Sequence, residues 1–338
     1  MKEKKKRVLS GMQASGRLHL GNLAGALQNW ARLQDASAGD SLAYECFYFV
    51  ADWHALTSGY ASPQAIKEST TDLLINFLAA GLDPEKCTIF IQSMVPGHAE
   101  LHLLLSMITP LGWLERVPTY KEKMEELKDR DLNTYGFLGY PVLQSADILL
   151  YRADYIPVGA DQLPHLEITR EIARRFNHFY GEVLPEPEAL LTEFPKVPGV
   201  DGRKMSKSYG NAIYLSDSPK EVEQKIRTMM TDPARKLRTD PGNPEICPVY
   251  HLHKIFSASD EQDWVVKGCV SAGIGCIECK KVLIKNVFKV LDPIWEKRKA
   301  LMENPARLRE AAVLGAKKAA AAAEETMEEV KTALGWWS

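Results

Sequence analysis

The sequence has no apolar run near the ~18 residues that a membrane-spanning helix needs. It also lacks a dominant charge, since 42 Lys and Arg stand against 44 Asp and Glu and leave a formal charge of −2. Hydrophobic residues make up 45% and charged ones 25%, which excludes a largely disordered or collagen-like chain. No internal repeat is visible, so a solenoid is excluded. The start, MKEKKKRVLSGM, is basic but has no apolar stretch of the kind a secretory signal carries, and a cytoplasmic protein is expected. At roughly 150 residues per domain, the length suggests two domains. What the chain does have is six unevenly placed cysteines. Cys46 and Cys87 lie in the strand-like runs CFYFVAD and CTIFIQS and read as buried free thiols. Cys247, Cys269, Cys276 and Cys279 share one stretch near the end, and in a reducing compartment such clustering points to metal rather than disulfides.

The first half alternates short β-rich runs with longer helical patterns. Strands are expected at Val8–Gly11, Cys46–Ala51, Cys87–Gln92 and Asp154–Val158. Helices are expected at Gly21–Leu33 and Gln64–Ala80, the latter with apolar positions at helical spacing. This alternation predicts an α/β fold with a doubly wound parallel sheet, which binds ligands at the C-terminal ends of its strands. From about residue 185, the Pro- and Gly-rich stretch LPEPEALLTEFPKVPGVDGRKMSKSYGN reads as a mobile connection. Beyond Ser216 the chain is expected to be mainly helical. SPKEVEQ resembles a helix start at a Ser cap, and KKAAAAAEETMEEVK is strongly helix-forming. The expected domains are residues 1–215 and 216–338, with the C-terminal tail a candidate to complete the first.

Two segments have the make-up of a nucleotide site. After the first strand comes SGMQASGRLHLGNLAGAL, where Gly11, Gly16 and Gly21 permit a tight turn and a close approach to the backbone. The helix that follows has an N-terminus suited to phosphate. Alone, such a segment is as often a plain turn, and His19 alone would be a surface or packing histidine. The second segment is GRKMSKSYGN, Gly202 to Asn211. Its lysines, Lys204 and Lys207, alternate with hydroxyls between glycines and suit a loop that reaches phosphate oxygens. A lysine-rich loop is usually just solvated. The two segments in this order, about 185 residues apart, make the nucleotide reading the better one.

HLGN (His19 to Asn22) resembles the HIGH motif of class I aminoacyl-tRNA synthetases, and KMSKS (Lys204 to Ser208) matches their second signature. The resemblance implies a Rossmann-type catalytic domain followed by a helical anticodon-binding domain. It implies that an amino-acid carboxylate attacks the ATP α-phosphate, pyrophosphate leaves, and the aminoacyl group passes to tRNA. Such chemistry depends on positioning and charge stabilisation more than on a protein nucleophile. By the same resemblance His19, Asn22, Lys204 and Lys207 are the catalytic groups. Gln13, Ala14, Ser15, Gly21 and Asn22 hold ATP together with Lys204, Met205, Ser206, Lys207 and Ser208, and Gly159, Ala160 and Asp161 face its ribose. Mg²⁺ is expected with ATP, held by the phosphates.

Tyr140 to Gln162 reads YPVLQSADILLYRADYIPVGADQ. Pro141 suits a first helical turn, and Tyr140, Gln144, Asp147, Ile148 and Tyr151 recur at spacings of three and four, on one face. An acid among apolar neighbours needs a partner, because burying an unpaired charge is costly. An indole N–H would supply one, although periodicity alone favours a capped or surface acid. The pattern YPxLxxADILLY followed by PVGxDQ closely resembles the tryptophanyl-tRNA synthetases, as do DWHAL (Asp52 to Leu56), FIQS and LERVPTYKEK. That resemblance spans nearly the whole catalytic domain. It implies that Asp147 accepts from the indole N–H while Gln13, His54, Tyr140, Gln144 and Gln162 shape the tryptophan pocket. Its implied partners are L-tryptophan, ATP and tRNA(Trp), and its implied state is a homodimer. Tyrosine activation is the neighbouring alternative. A non-catalytic synthetase-like protein that binds tryptophan or RNA is another, and the intact HLGN and KMSKS segments speak against it.

Cys247-x21-Cys269-x6-Cys276-x2-Cys279 supplies four thiolates, which suit Zn²⁺ or an iron–sulfur cluster; the C-x2-C spacing alone favours zinc. Gly268, Gly273 and Gly275 are candidates to bring backbone N–H groups near the sulfurs. A subset of bacterial tryptophanyl-tRNA synthetases carries a similar quartet holding [4Fe–4S] beside the anticodon-binding surface, and the resemblance implies that cluster here. Lys281, Lys285 and Lys289 form a stripe opposite Leu283, Val287 and Val290, placed to meet RNA phosphates. A second basic patch, Arg227 with Arg235, Lys236 and Arg238, could meet RNA or solvent.

Overall fold

Five strands form one parallel sheet: β1 (Lys6–Gln13), β2 (Tyr44–Ala51), β3 (Thr88–Ile91), β4 (Tyr155–Val158) and β5 (Glu188–Leu191). Their order is β3-β2-β1-β4-β5, the doubly wound arrangement expected of a Rossmann-type sheet. The computed structural model describes residues 5–38, 41–126, 131–159, 162–191 and 197–336. Four of the strands match the apolar runs. The fifth corrects the expectation of a mobile connection: Glu188–Leu191 pairs in register with Tyr155–Val158. Four residues at a sheet edge, half exposed, give too short an apolar pattern to be recognised.

The central strands are apolar throughout because both faces are covered. Val8, Cys46, Tyr48 and Val50 join one core, and Leu9, Phe47, Phe49 and Phe90 join the other. Over the first face run Leu20–Asn22, Leu23–Leu27 and Gln28–Asp35, a single helix in space whose middle five residues widen to π-helical turns. α1 (Pro63–Ala79) lies on the same side. The second face carries α2 (Gly97–Ser106), α3 (Tyr140–Leu150) and α4 (Leu163–Tyr180).

Beyond Ser216 the described chain is helical, as expected. α5 (Pro219–Thr228) starts at Ser218, whose hydroxyl accepts from the Glu221 N–H while the Glu221 carboxylate returns to the Ser218 N–H. α6 (Cys276–Glu303) buries Leu283 and Val287 and leaves Lys281, Lys285 and Lys289 exposed. It is tied to α1 by buried Arg298, which donates to Asn76 Oδ1 at 2.6 Å and Asp72 Oδ1 at 2.8 Å. α7 (Pro305–Ala333) returns to the sheet and packs on β3 and α2. Gly315 makes that return possible, because a Cβ there would stand 1.7 Å from the Ile89 carbonyl oxygen. Glycine inside a helix costs about 1 kcal/mol against alanine, and here it permits direct backbone contact. Among the described residues no helix is long and apolar enough to cross a membrane.

Candidate active site

The strand order reverses between β1 and β4, and a crevice opens there at the C-terminal strand ends. It holds a cavity of 440 Å³ whose walls include Gln13 of β1, Val158 of β4, and Tyr140, Gln144, Asp147 and Ile148 of α3. His19, Gly21, Asn22, His54, Gly159, Gln162, Lys204 and Met205 also line it. One cavity thus gathers most of the residues singled out from motifs far apart in sequence. Ala14 does not line it but is buried in the adjoining core. Ser15, Ser206, Lys207 and Ser208 stand beside it in the loops, and Ala160 and Asp161 lie outside the described residues.

At one end of the cavity, α3 begins with Pro141 in its first turn and delivers Asp147 into the interior at 2% exposure. The capped or surface acid that periodicity alone favours is corrected here: Asp147 is buried, and three protein donors converge on it. Gln92 Nε2 and His98 Nδ1 each reach Oδ1 at 2.7 Å, and His54 Nε2 reaches Oδ2 at 2.8 Å. Burial pushes the carboxyl pKa up, but hydrogen bonds and charge from His54 and His98 outweigh it and hold the group at about 2. Asp147 is therefore an anion that can only accept. A carboxylate offers about four acceptor positions. Three are taken, and the open one is on Oδ2.

Tyr151 also departs from the expected shared face. It is fully buried behind Asp147, with its hydroxyl 2.8 Å from His98 Nε2. Gln13 Nε2 donates to the His54 carbonyl at 2.9 Å, so strand β1 braces the residue that touches Asp147. Gln92 and His98 were not singled out by the sequence reading. The usable signal was the buried acid itself, which demands donors from elsewhere in the chain.

At the other end, His19 and Asn22 cap their helix reciprocally. His19 Nδ1 accepts the Asn22 N–H at 3.3 Å, and Asn22 Oδ1 accepts the His19 N–H at 3.1 Å. With Nδ1 accepting, the proton of a neutral ring sits on Nε2. Burial, then Lys207 and Lys204, lower the His19 pKa to about 4, so at neutral pH it offers an uncharged donor. Gly21 lets the imidazole lie against the backbone, as a Cβ would be 2.9 Å from its Cε1 and Nδ1.

The KMSKS segment is knotted rather than loose, which corrects the expected mobile connection over residues 197–211; residues 192–196 lie outside the described residues. Leu20 N–H donates to the Ile213 carbonyl at 2.9 Å and Leu215 N–H to Leu18 at 2.8 Å, fastening residues 211–215 beside the HLGN segment. Buried Asn211 accepts the Ser206 N–H at 2.9 Å and donates to Asp201 Oδ1 at 2.7 Å and the Lys204 carbonyl at 3.1 Å. Lys207 Nζ donates to the Gly16 carbonyl at 3.0 Å, and burial lowers its pKa to about 8. Lys204 is exposed at the cavity wall.

Cys46 and Cys87 are buried thiols, as expected. Cys247, Cys269, Cys276 and Cys279 line one small separate cavity with Arg235. Burial, then the other three thiols, push the Cys279 pKa up to about 12. Among the described residues, no group of three or more His, Cys, Asp or Glu is placed so that it could hold a metal ion as it stands. The glycine that approaches a sulfur is Gly242, where a Cβ would stand 2.6 Å from Cys269 Sγ. This corrects the expectation for Gly268, Gly273 and Gly275: Gly268 packs on Ile274, Gly273 N–H bonds Ser271 Oγ and Gly275 N–H bonds Glu278. Arg235 belongs to this site rather than to an outer basic patch. It is 9% exposed, its Nη1 stands 3.8 Å from Cys269 Sγ, and its Nη2 donates to the Ile274 carbonyl at 2.6 Å. Its buried Nε has no hydrogen-bond partner among the described residues.

Residues 1–292 match the family model described as tRNA synthetases class I (W and Y). The chain is 57% identical over 329 residues to the tryptophan–tRNA ligase of Thermotoga maritima, a match covering 97% of this chain and 98% of that protein. It belongs to the tryptophanyl-tRNA synthetases. Within this family, the tryptophan–tRNA ligase of Deinococcus radiodurans is 44% identical over 333 residues, covering 98% of each chain. The solved tryptophanyl-tRNA synthetase of Campylobacter jejuni, complexed with ADP and tryptophan, superposes with a TM-score of 0.86 at 36% identity, covering 97% of this chain and 99% of that one. A tyrosyl-tRNA synthetase from Archaeoglobus fulgidus, at 23% identity and a TM-score of 0.67, shares the fold.

Proposed function

We propose that the chain activates L-tryptophan with ATP and transfers the tryptophanyl group to tRNA(Trp). The observation that carries this reading is Asp147, an anion at about pKa 2 with one acceptor position left, on the wall of a cavity that Phe49 and Ile148 also line. An indole presents one N–H and a flat apolar body, and that pairing fills both needs. A tyrosine hydroxyl can also donate to Asp147, so the two substrates are separated by direct comparison.

With tryptophan at Asp147 and ATP towards HLGN, the amino-acid carboxylate attacks the α-phosphorus and the bond to the pyrophosphate oxygen breaks. His19 donates from Nε2 without adding charge. Lys204 and Lys207 stabilise the leaving pyrophosphate, and Lys207, lowered to about 8 before ATP binds, holds its proton more firmly beside phosphate. Mg²⁺ travels with the phosphates. The test is pyrophosphate exchange with Trp and Tyr in parallel, with and without tRNA. Exchange that depends on Trp supports the reading; equal exchange with Tyr overturns it.

Residues 1–215 form the catalytic unit in this reading, closed by α7, and residues from 216 carry the anticodon side. The exposed Lys281, Lys285 and Lys289 are its phosphate contacts. The state is a homodimer, and exposed Leu103, Met107 and Leu111 offer apolar surface that a second copy would cover. The four thiols fit a soft metal centre in donor type, since clustered thiolates repel one another without a cation, and Arg235 with its unpaired Nε supplies positive charge beside them. Cys247, Cys269, Cys276 and Cys279 would hold [4Fe–4S], with Zn²⁺ the alternative. When bound, the group would cross-link α6 to the preceding segments, a structural role. Anaerobic purification giving a brown protein with matched iron and sulfide supports the cluster; a colourless, zinc-bearing protein overturns it.

A further inference from the structure

Behind the carboxylate assigned to the indole lies a second layer of polar groups sealed from solvent. Gln92, His98 and Tyr151 are each 0% exposed. His98 stands on α2 and uses both ring nitrogens, Nδ1 at 2.7 Å from Asp147 Oδ1 and Nε2 at 2.8 Å from the Tyr151 hydroxyl. Asp147 can only accept, so Nδ1 carries a proton. In the neutral ring Nε2 must then accept, and the Tyr151 O–H is the donor in reach. Burial keeps that phenol well above its ordinary pKa, so it retains its proton. The bonds therefore run in one direction, from Tyr151 through His98 to Asp147.

The consequence concerns aim. A carboxylate held at one point can turn about its side chain, whereas Gln92 and His98 together pin Oδ1. Pinning Oδ1 sets the direction of Oδ2, which carries the open acceptor position. His54 differs from His98 in lining the cavity itself. His98 does not line the cavity, and its hydrogen bonds reach a ligand through Asp147.

We propose that His98, held in one tautomer by Tyr151, is a positioning residue for tryptophan specificity that aims Asp147 at the indole N–H. The inference rests on tryptophan being the substrate. It is tested by pyrophosphate exchange with two substrates, tryptophan and 3-(benzothiophen-3-yl)alanine, which keeps the bicyclic shape but replaces the N–H with sulfur. The variants are His98→Leu and His98→Asn, which match each other in shape and differ in that the amide can still donate to Asp147. His98→Leu is expected to lower kcat/KM for tryptophan about 10- to 100-fold, the size of one hydrogen bond to a charged group. The analogue is expected to lose far less, so the preference for tryptophan collapses. His98→Asn is expected to restore most of that preference. Tyr151→Phe, which removes one hydroxyl, is expected to lower the preference several-fold and carries the test alone if His98→Leu does not fold. Equal losses for both substrates, with the ratio unchanged in every folded variant, overturn the inference and leave His98 as packing. Absence of tryptophan-dependent exchange in the unmodified protein would instead remove the functional reading beneath it.

Discussion

Asp147→Asn is the sharpest perturbation of the site, because it changes hydrogen-bond polarity with almost no change in shape. The amide has one accepting oxygen and one donating nitrogen. If its oxygen stays with Gln92 and His98, the new NH₂ points at His54 and at the indole. The His54 contact can recover by moving the ring proton to Nδ1, so that Nε2 accepts. The indole has no such freedom, because its nitrogen only donates. If the amide flips, its NH₂ faces two donors at 2.7 Å and the network breaks instead. The first arrangement therefore wins, and the loss falls on the substrate. One hydrogen bond to a charged group is worth about 1.5–3 kcal/mol, or roughly 10- to 150-fold in kcat/KM for tryptophan. Donor facing donor pushes the result to the upper end of that range. The KM for ATP should hardly move, since His19, Gly21 and the two lysines are untouched. Tryptophan-dependent pyrophosphate exchange measures both constants. A variant within about threefold of the unmodified enzyme would falsify the assignment of Asp147, because the one arrangement of the amide that keeps the indole contact breaks the bonds to Gln92 and His98.

The same carboxyl controls an acid limb of stability. Its pKa is depressed on folding, from 3.8 to about 2, so its contribution is present above pH 4 and is lost as pH falls towards 2. At about 1.36 kcal/mol per pH unit the loss approaches ~2.4 kcal/mol, and denaturant melts between pH 5 and 2.5 should show a shallower decline in Asp147→Asn. Gly21→Ala should tilt the His19 ring and weaken its cap, costing roughly 0.5–2 kcal/mol of stability by the usual worth of a cap. Its KM for ATP should rise while that for tryptophan stays put, and a loss shared equally by both substrates would refute the reading. Gly315→Ala gains about 1 kcal/mol of helix propensity yet must move α7 away from Ile89. Overpacking of this kind typically costs about 1–3 kcal/mol or more. Thermal melts should show net destabilisation, and a stabilised variant would mean that α7 is not seated on the sheet.

Much of the frame was legible because it is written locally. A run such as CFYFVAD declares a strand covered on both faces, and S-P-K-E declares a capped helix start within four residues. The alanine-rich tail declares a helix by propensity, although nothing local says that it returns to β3; Gly315 in its interior is the trace of that contact. β5 escaped because an edge strand of four residues, flanked by prolines, has no periodicity to display. The KMSKS connection escaped for a related reason: Gly and Pro mark a turn, but the order of that turn comes from Asn211, a single side chain joining three backbone and side-chain groups.

The site divides along the same line, and the division says how a buried acid should be read. Periodicity along α3 shows which side chains share a face, and so finds Asp147 and Gln144 together. It is silent about Gln92 and His98, whose bonds to Asp147 span 55 and 49 positions. Yet burial of a carboxylate is unaffordable without several donors, so placing an acid on an apolar face already implies polar residues on whichever element packs against it. In a doubly wound sheet that element is constrained: donors must come from the strand ends that open the crevice, or from the helices that follow them. Gln92 directly follows β3, and His98 is the second residue of α2, as that geometry requires. Arg235 escaped in the same way: grouped by sequence with a basic patch, it proves to be inside, donating to the Ile274 carbonyl and standing beside Cys269.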